Sequence, residues 1–452
     1  MLNAEGANAF LEQNEIELVR VEWPDLHGLA RGKCLSTSHF LDCLPSGVPF
    51  ASIALHMDVK GDATPLPTAA SKQGWPNFFA HPDLSTLHLL PHEPHTAQVL
   101  SDLFYLDGSP VTQSPRFALR EVVRAFNDAG FQPIVGAEIE FYLLPSQNPL
   151  SSPPAPHQVN HLLFSLPEPS FFSDLHRYLD LVGVTCETCS AEDGPSQFEI
   201  CLSPQDPLSL ADTSLLVKNV VKQLAAHHSL TATFLSKPFP ESAGSGFHLH
   251  QSLLSPDSQP LFSSDCGPLD FRPSGLCLNF IAGQLSLLPD ACAFYLPTVN
   301  AYKRIHTRGP FPLSATWGIE NRTVALRVVG DSPSSCGERS RTALRLENRL
   351  IAGEANPYLL TAVALASGLF GIQHRLQPPP PVAHNAYDKR TRAHPLPPTL
   401  RQALDCLKKS KTLPTLLPPD LIRLFLALKS QELSSFESST TDWEKSTYLP
   451  WL

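Results

Sequence analysis

The sequence predicts a two-domain α/β protein: a short strand-rich N-terminal part, then a larger domain in which strands and helices alternate. Three observations carry this expectation. The segment DGSPVTQ at Asp107–Gln113 has the composition of a linker. A well-signalled helix starts directly after it. Beyond that helix, strand-like and helix-like apolar patterns take turns along the chain. The 452 residues suffice for two or three domains with a substantial core. The expected boundaries are a tail over 1–14, an N-terminal domain over 15–106, the linker 107–113 and the large domain over 114–452.

The elements follow in order. Residues 1–17 carry acidic groups early and no apolar run of signal-peptide length, which points to a cytoplasmic protein. Ser114 suits a helix N-cap and Pro115 the first helical position. Leu119, Val122, Val123 and Phe126 then form an apolar stripe, and Gly130 ends the helix. A strand is expected over Pro133–Leu144. The proline-rich run Pro145–His157 reads as a loop, as does Gln377–Val382. A helix follows over about Leu208–His228, with Val217, Val220, Val221 and Leu224 on one face, and then strands at Thr231–Leu235 and Gly246–Leu254. The longest apolar stretch, Tyr358–Ile372, spans fifteen residues and is broken by Thr361, Ser367, Gly368 and Gly371. It reads as a buried helix, too short for a membrane span.

Composition excludes some partners. A net charge of −10 argues against nucleic acid or an anionic membrane as the main partner. Ten cysteines in a chain of this length do not make a disulfide framework. Cys186 and Cys189 have CxxC spacing without a second pair, so they read as buried thiols rather than a zinc site.

Six residues suggest chemistry: Glu138 and Glu140 in GAEIEF, Glu192 and Glu199 in AEDGPSQFE, His248 in GSGFHLH, and Glu347 in RLENRL. Glu138 and Glu140 are two apart on a strand and leave the same face, as do His248 with His250 and Glu347 with Arg349. Any one pair could be a solvated strand face. Two carboxylates about 5 Å apart repel by roughly 3 kcal/mol at an effective dielectric of ~20, so five in one cleft require cations. An oxygen-rich set with one histidine favours two Mg²⁺ or Mn²⁺ ions over zinc. Arg304, Arg322, Arg327, Arg345 and Arg349 would suit anionic substrates.

Several long strings occur in one order along the chain: DLHGLARGK, GAEIEF, the QFE block, ATFLSKP, GSGFHLH, PTVNAYKR, WGIENRTVALR and LENRLIAGEANPYL. Through them the chain resembles the glutamine synthetase superfamily from about Val19 to Leu452. The resemblance implies an N-terminal β-grasp domain and a catalytic domain built on a curved antiparallel sheet with flanking helices. It implies rings, usually of twelve subunits in two layers, with active sites between subunits. Glu140, Glu192 and Glu199 match the ligands of one metal, and Glu138, His248 and Glu347 those of the second. Arg304, Arg349 and Gly244 match glutamate-side positions, and Arg322 resembles the arginine that meets the transferred phosphate. Glu187, His250, Ser252, Arg327 and Arg345 match contacts to ATP, which this family binds without a Walker loop. The implied reaction phosphorylates the γ-carboxylate of glutamate, and an amine then displaces phosphate.

Departures from the ammonia-using enzymes point to the γ-glutamyl–amine ligases, with γ-glutamylputrescine synthetase as the pattern most resembled. Pro310 stands where those enzymes carry a flap glutamate, and their DGSS latch is absent from FASIALHMDVKGD. The expected partners are therefore glutamate and a small amine or polyamine, with Asp58 or Asp62 as candidates for its distal charge. Ser196, Ala243, Ala301 and His92 replace a glycine, an asparagine, a serine and a tryptophan of the family pattern, and GDSPSSCGERSRT at 330–342 is an insert. Three other readings stay open: a glutamine synthetase using ammonia, a catalytically silent paralogue, and a metal hydrolase built on His248 and His250.

Overall fold

The computed structural model describes residues 3–64, 69–147, 159–160, 169–263, 272–306, 311–330, 344–388, 391 and 393–452. Pro310, nearly all of the 330–342 insert and most of the Pro145–His157 run lie outside these residues. Two sheets organise the chain. The first takes β1 (Leu18–Pro24), β2 (Ala30–Ser36), β3 (Val48–Ala51), β4 (Asn77–Pro82), β5 (His88–Leu89) and β6 (Thr96–Phe104). Its order is β2-β1-β6-β4-β3, with β5 on β6. The pair β1–β6 is parallel and the rest antiparallel. The segment expected as a tail is in fact a helix, Ala4–Gln13, capped by Asn3 and docked through the buried Ala7 and Leu11.

The second sheet contains β7 (Gln132–Pro145), β8 (Cys186–Ala191), β9 (Gln197–Gln205), β10 (Leu230–Thr233), β11 (Phe247–Leu254), β12 (Trp317–Ile319), β13 (Leu326–Val329) and β14 (Arg345–Asn348). Its order is β12-β13-β14-β11-β7-β9-β8, with β10 also on β7. Alternation along the chain suggested an α/β sheet, but every pair here is antiparallel except β12–β13. Helices that follow strands do not always return the chain for a parallel crossover, which is why alternation alone misleads. The curved antiparallel sheet with flanking helices implied by the family resemblance is the one found.

The helix after the linker runs Pro115–Asp128, capped by Ser114 as expected, and Gly130 leaves it at φ +79°. Its buried face is Arg116, Leu119, Val122 and Phe126, while Val123 is only half-buried. Arg116 binds Asp83 and Asp102 of the N-terminal part and Asp212 of the helix Pro207–His227, each at 2.7–2.9 Å. Tyr358 donates to Asp212 at 2.6 Å. These groups join the two sheets' domains. The helix Gly275–Tyr295, which the sequence reading overlooked because Gln284, Pro289 and Asp290 interrupt it, is long and apolar enough to cross a membrane. About two thirds of it (67%) is buried inside the fold, beside the helix Pro357–Gln373. Both are core helices here.

Candidate active site

The register of the second sheet places the polar residues in a band. Arg327 of β13 faces Glu347 of β14, and Glu347 faces His250 of β11. His248 faces Glu138 of β7, and Glu140 faces Glu199 of β9. Residues paired across a ladder share a face, so one side of five strands carries the whole band. Ile139 and Phe141 point the other way and are fully buried. Glu138, Glu140, Glu199 and Glu347 are therefore fixed by strand geometry, while Glu192 stands in the turn just past β8.

Glu138 anchors the centre. Its Oε2 lies 2.9 Å from His248 Nδ1 and its Oε1 lies 3.0 Å from His250 Nε2. Arg345 Nε donates to His250 Nδ1 at 3.1 Å, which leaves the proton of His250 on Nε2, toward Glu138. Burial would raise the pKa of Glu138, but the two histidines hold it far below the usual carboxylate range. Glu347 is 1% exposed and pairs with Arg327 at 3.1 Å and with Arg349. Burial works against its charge, yet Arg349 and the two histidines keep its pKa low. Glu140 accepts from the Gly246 amide at 2.7 Å and from Gln197 Nε2 at 3.3 Å.

The remaining two carboxylates behave differently. Burial, reinforced by Glu140 and Glu138, pushes Glu192 up to about 7. Burial and the Glu138 carboxylate push Glu199 up to about 8. His248, and at Glu192 the Asp193 amide, offset this only in part. Two groups have donor atoms within 4.8 Å of one another: Glu138, His248 and Glu347, and Glu140, Glu199 and His248. The first is the expected second triad. In the other, His248 falls where Glu192 was expected, and Glu192 lines the same cleft without completing that compact group. Oxygen-rich donors with one imidazole, carrying carboxylates that resist ionising together, fit hard divalent cations.

The cleft encloses about 460 Å³ and holds all six of these residues together with Gly244, Arg304, Arg322, Arg327 and Arg349. Arg304 is buried, donates to the Ile351 carbonyl at 3.1 Å and lies over the Phe311 ring at 4.7 Å. Gly244 packs so closely on it that a Cβ there would stand 2.9 Å from Arg304 Cγ. Arg322 is exposed at the cleft wall. Arg327 and Arg349 each keep a buried Nε with no hydrogen-bond partner among the described residues. Such orphaned donors suit an anionic ligand.

A second cavity, about 520 Å³, shares Glu138 with the first. Glu187, His250, Ser252 and Arg345 line it, so four of the five expected nucleotide residues meet there. Arg327 does not; it belongs to the metal-rich cleft. A register shift between Cys186 and Thr188 marks the β8 edge at Glu187. Burial raises the Cys186 thiol to about 11 and the Cys189 thiol to about 12, so neither is a ready thiolate. Asp58 and Asp62 line neither cavity.

Sequence reasoning missed Gln197. Its Nε2 reaches Glu140, the Gly244 carbonyl and Ser245 Oγ at 3.2–3.3 Å, and its Oε1 accepts from the Gly194 amide at 2.9 Å. Its place in the QFE string was the available signal. Ser196 beside it sits at φ +61°, the left-handed angle that a glycine would take without strain.

Residues 112–448 match the family described as glutamine synthetase, catalytic domain. A glutamate–isopropylamine ligase of a Pseudomonas species is 32% identical, covering 97% of this chain and 96% of its own. A type-1 glutamine synthetase of Dictyostelium discoideum is 30% identical over 99% of this chain and 87% of its own. A solved GmaS complex with ADP superimposes with a TM-score of 0.85 at 28% identity, covering 100% of both chains. The matched catalytic domain, the carboxylate band and the arginine-lined cleft together establish that the chain belongs to the glutamine synthetase family and is an ATP-dependent ligase forming carbon–nitrogen bonds.

Proposed function

We propose that the protein is a γ-glutamyl–amine ligase, joining the γ-carboxylate of L-glutamate to an organic amine at the expense of ATP. The observation that carries this reading is the pairing of the two cavities across Glu138. One offers arginines and crowded carboxylates; the other offers the residues expected to contact the nucleotide. ATP in the second would direct its terminal phosphate into the first.

Glu138, His248 and Glu347, with Glu140, Glu192 and Glu199, would hold two Mg²⁺ or Mn²⁺ ions, whose charge offsets that of the carboxylates and of the phosphates. Arg304, buried beside Gly244, grips the α-carboxylate of glutamate, and Arg349 supports the same substrate. Arg322 meets the phosphoryl group in transfer, and Arg327 steadies it from the β13 side. A γ-carboxylate oxygen bonds to the terminal phosphorus, the bridging P–O bond to ADP breaks, and an acyl phosphate results. A neutral amine nitrogen then bonds to the acyl carbon, the C–O bond to phosphate breaks, and the amine proton passes to solvent. Positioning and charge, not a nucleophilic side chain, do this chemistry.

Pro310 can neither hold ammonium nor take its proton, which supports an organic amine over ammonia. Five carboxylates gathered in one cleft, two of them pushed up by burial and their neighbours, argue against a silent paralogue. The hydrolase reading loses support because His250 is committed to Arg345 and Glu138. We also read the N-terminal sheet as a β-grasp domain, the assembly as a ring with sites between subunits, and the cytoplasm as its location.

Phosphate release from ATP and glutamate, with Mg²⁺ or Mn²⁺, tests the reading against ammonia and a panel of mono-, di- and polyamines. Turnover with an organic amine and little with ammonia is expected. A preference for ammonia would make the protein a glutamine synthetase, and silence with every acceptor would make it a silent paralogue.

A further inference from the structure

The turn from Glu192 to Gln197 is held at almost every residue. The Glu192 amide donates to the Gln197 carbonyl, the Gln197 amide to the Gly194 carbonyl, and the Leu143 amide to the Ser196 carbonyl, each at 2.9 Å. Gly194 lies against Tyr142 so closely that a Cβ would be 2.0 Å from its hydroxyl oxygen. Tyr142 in turn is fixed by donating to the Ala243 carbonyl at 2.7 Å. Glu192 faces the carboxylate cluster and Gln197 ties Glu140 to Gly244.

Asp193 is the exception. It is exposed and lines the same cleft as Glu192 and Arg304. Its carboxylate makes no hydrogen bond or ion pair among the described residues. A rigid turn that presents one unengaged carboxylate into a substrate cleft is a preorganised receptor for a cation. Asn160, whose amide donates to the Ala191 carbonyl at 3.1 Å, adds a second polar side chain to that wall. Within the single chain, the sequence candidates for this task lie outside the cleft. Asp58 spends its carboxylate on the amides of Lys60 and Asp62 at 2.8 and 3.0 Å, and Asp62 is exposed away from the cleft.

Resting on the amine-ligase reading, we propose that Asp193 determines acceptor specificity: it binds the far end of the amine and selects acceptors that carry a second cationic group. Chemistry makes the two ends of a diamine distinguishable. The attacking nitrogen must be neutral, whereas the far nitrogen keeps its proton near neutral pH. A carboxylate at the cleft wall meets only the second kind. A monoamine of equal length leaves Asp193 solvated and gains nothing from it.

The test compares kcat/KM for a linear diamine with that for the alkyl monoamine of the same chain length, in wild type, Asp193→Asn and Asp193→Glu. The wild-type protein is expected to favour the diamine. The asparagine variant should lower the diamine-to-monoamine ratio by about threefold to fivefold, through KM for the amine, as befits one solvent-exposed ion pair. KM values for glutamate and ATP and the Mg²⁺ activation constant should stay within about twofold, because the pair lies outside those contacts. The glutamate variant should restore the preference. An unmoved ratio with amine turnover intact overturns the proposal and leaves the ligase reading standing. A shift in the Mg²⁺ constant instead would make Asp193 a metal-side residue. Failure of the wild type to use any organic amine would remove both.

Discussion

Two clusters of charge, one at the domain junction around Arg116 and one on the second sheet, are balanced in opposite ways. Around Arg116, the carboxylates of Asp83, Asp102 and Asp212 meet two guanidiniums, since Arg120 also binds Asp102 at 2.6 Å, and Tyr358 supplies a further hydrogen bond. In the cleft, five glutamates converge, and two of them are driven toward the protonated form by burial and by each other. In the first, every carboxylate meets a guanidinium of the folded chain. In the second, Glu192 and Glu199 keep raised pKa values in the folded chain, which divalent cations would relieve. Burial and charge count alike in both, so what separates a structural cluster from a functional one is whether the protein itself closes the balance.

The comparison can be broken in four places. Glu140→Gln should reduce kcat/KM by on the order of 10³-fold, since it removes a proposed metal ligand that also accepts from Gln197, while the metal-free protein should keep or gain stability. A metal-free protein made clearly less stable by that change would mean the cleft is balanced after all. Arg116→Ala should act the other way round, with a stability loss of about 3–5 kcal/mol in denaturant unfolding, because buried Asp212 loses its guanidinium while Arg120 remains for Asp83 and Asp102. Activity per folded molecule should survive in it.

Acidity distinguishes the clusters next. Glu192 and Glu199 have folded pKa values of about 7 and about 8, above the ordinary 4.5. The folded metal-free protein therefore binds extra protons, and the stability this gives is present below about pH 4.5 and is lost as pH rises through 7 and 8. Thermal unfolding of the chelated protein should show the midpoint falling across that window, and saturating Mg²⁺ or Mn²⁺ should flatten the fall. A flat profile without metal would remove the case for crowded carboxylates. The smallest effect concerns Ser196. Relieving its φ of +61° with Ser196→Gly should stabilise the protein by about 1 kcal/mol, read from the urea midpoint.

Much of the band was legible in the sequence because strand periodicity is two. Glu138 with Glu140 and His248 with His250 announce a shared face without any knowledge of neighbours. Their register was not legible: nothing local says that Glu347 stands opposite His250 or Glu140 opposite Glu199, since pairing is decided by contacts far apart in the chain. The same limit hid the Arg116 cluster, whose three aspartates come from separate segments. A lone arginine on the apolar face of a helix was the available hint. The N-terminal helix at Ala4–Gln13 was missed because its buried face amounts to Ala7 and Leu11, too little for a periodic signal. Asp193 was passed over because a residue's lack of partners is visible only in three dimensions.

Gly244 has a further consequence. The chain carries alanine beside it, at Ala243, and again at Ala301, three residues before Arg304. Position 244 admits no alanine, because the first carbon of any side chain would collide with the Ser236 carbonyl at 2.8 Å and with the stem of Arg304. Substitution there has to move the arginine first. Whatever else lines the cleft, the placement of Arg304 is locked by an absent atom.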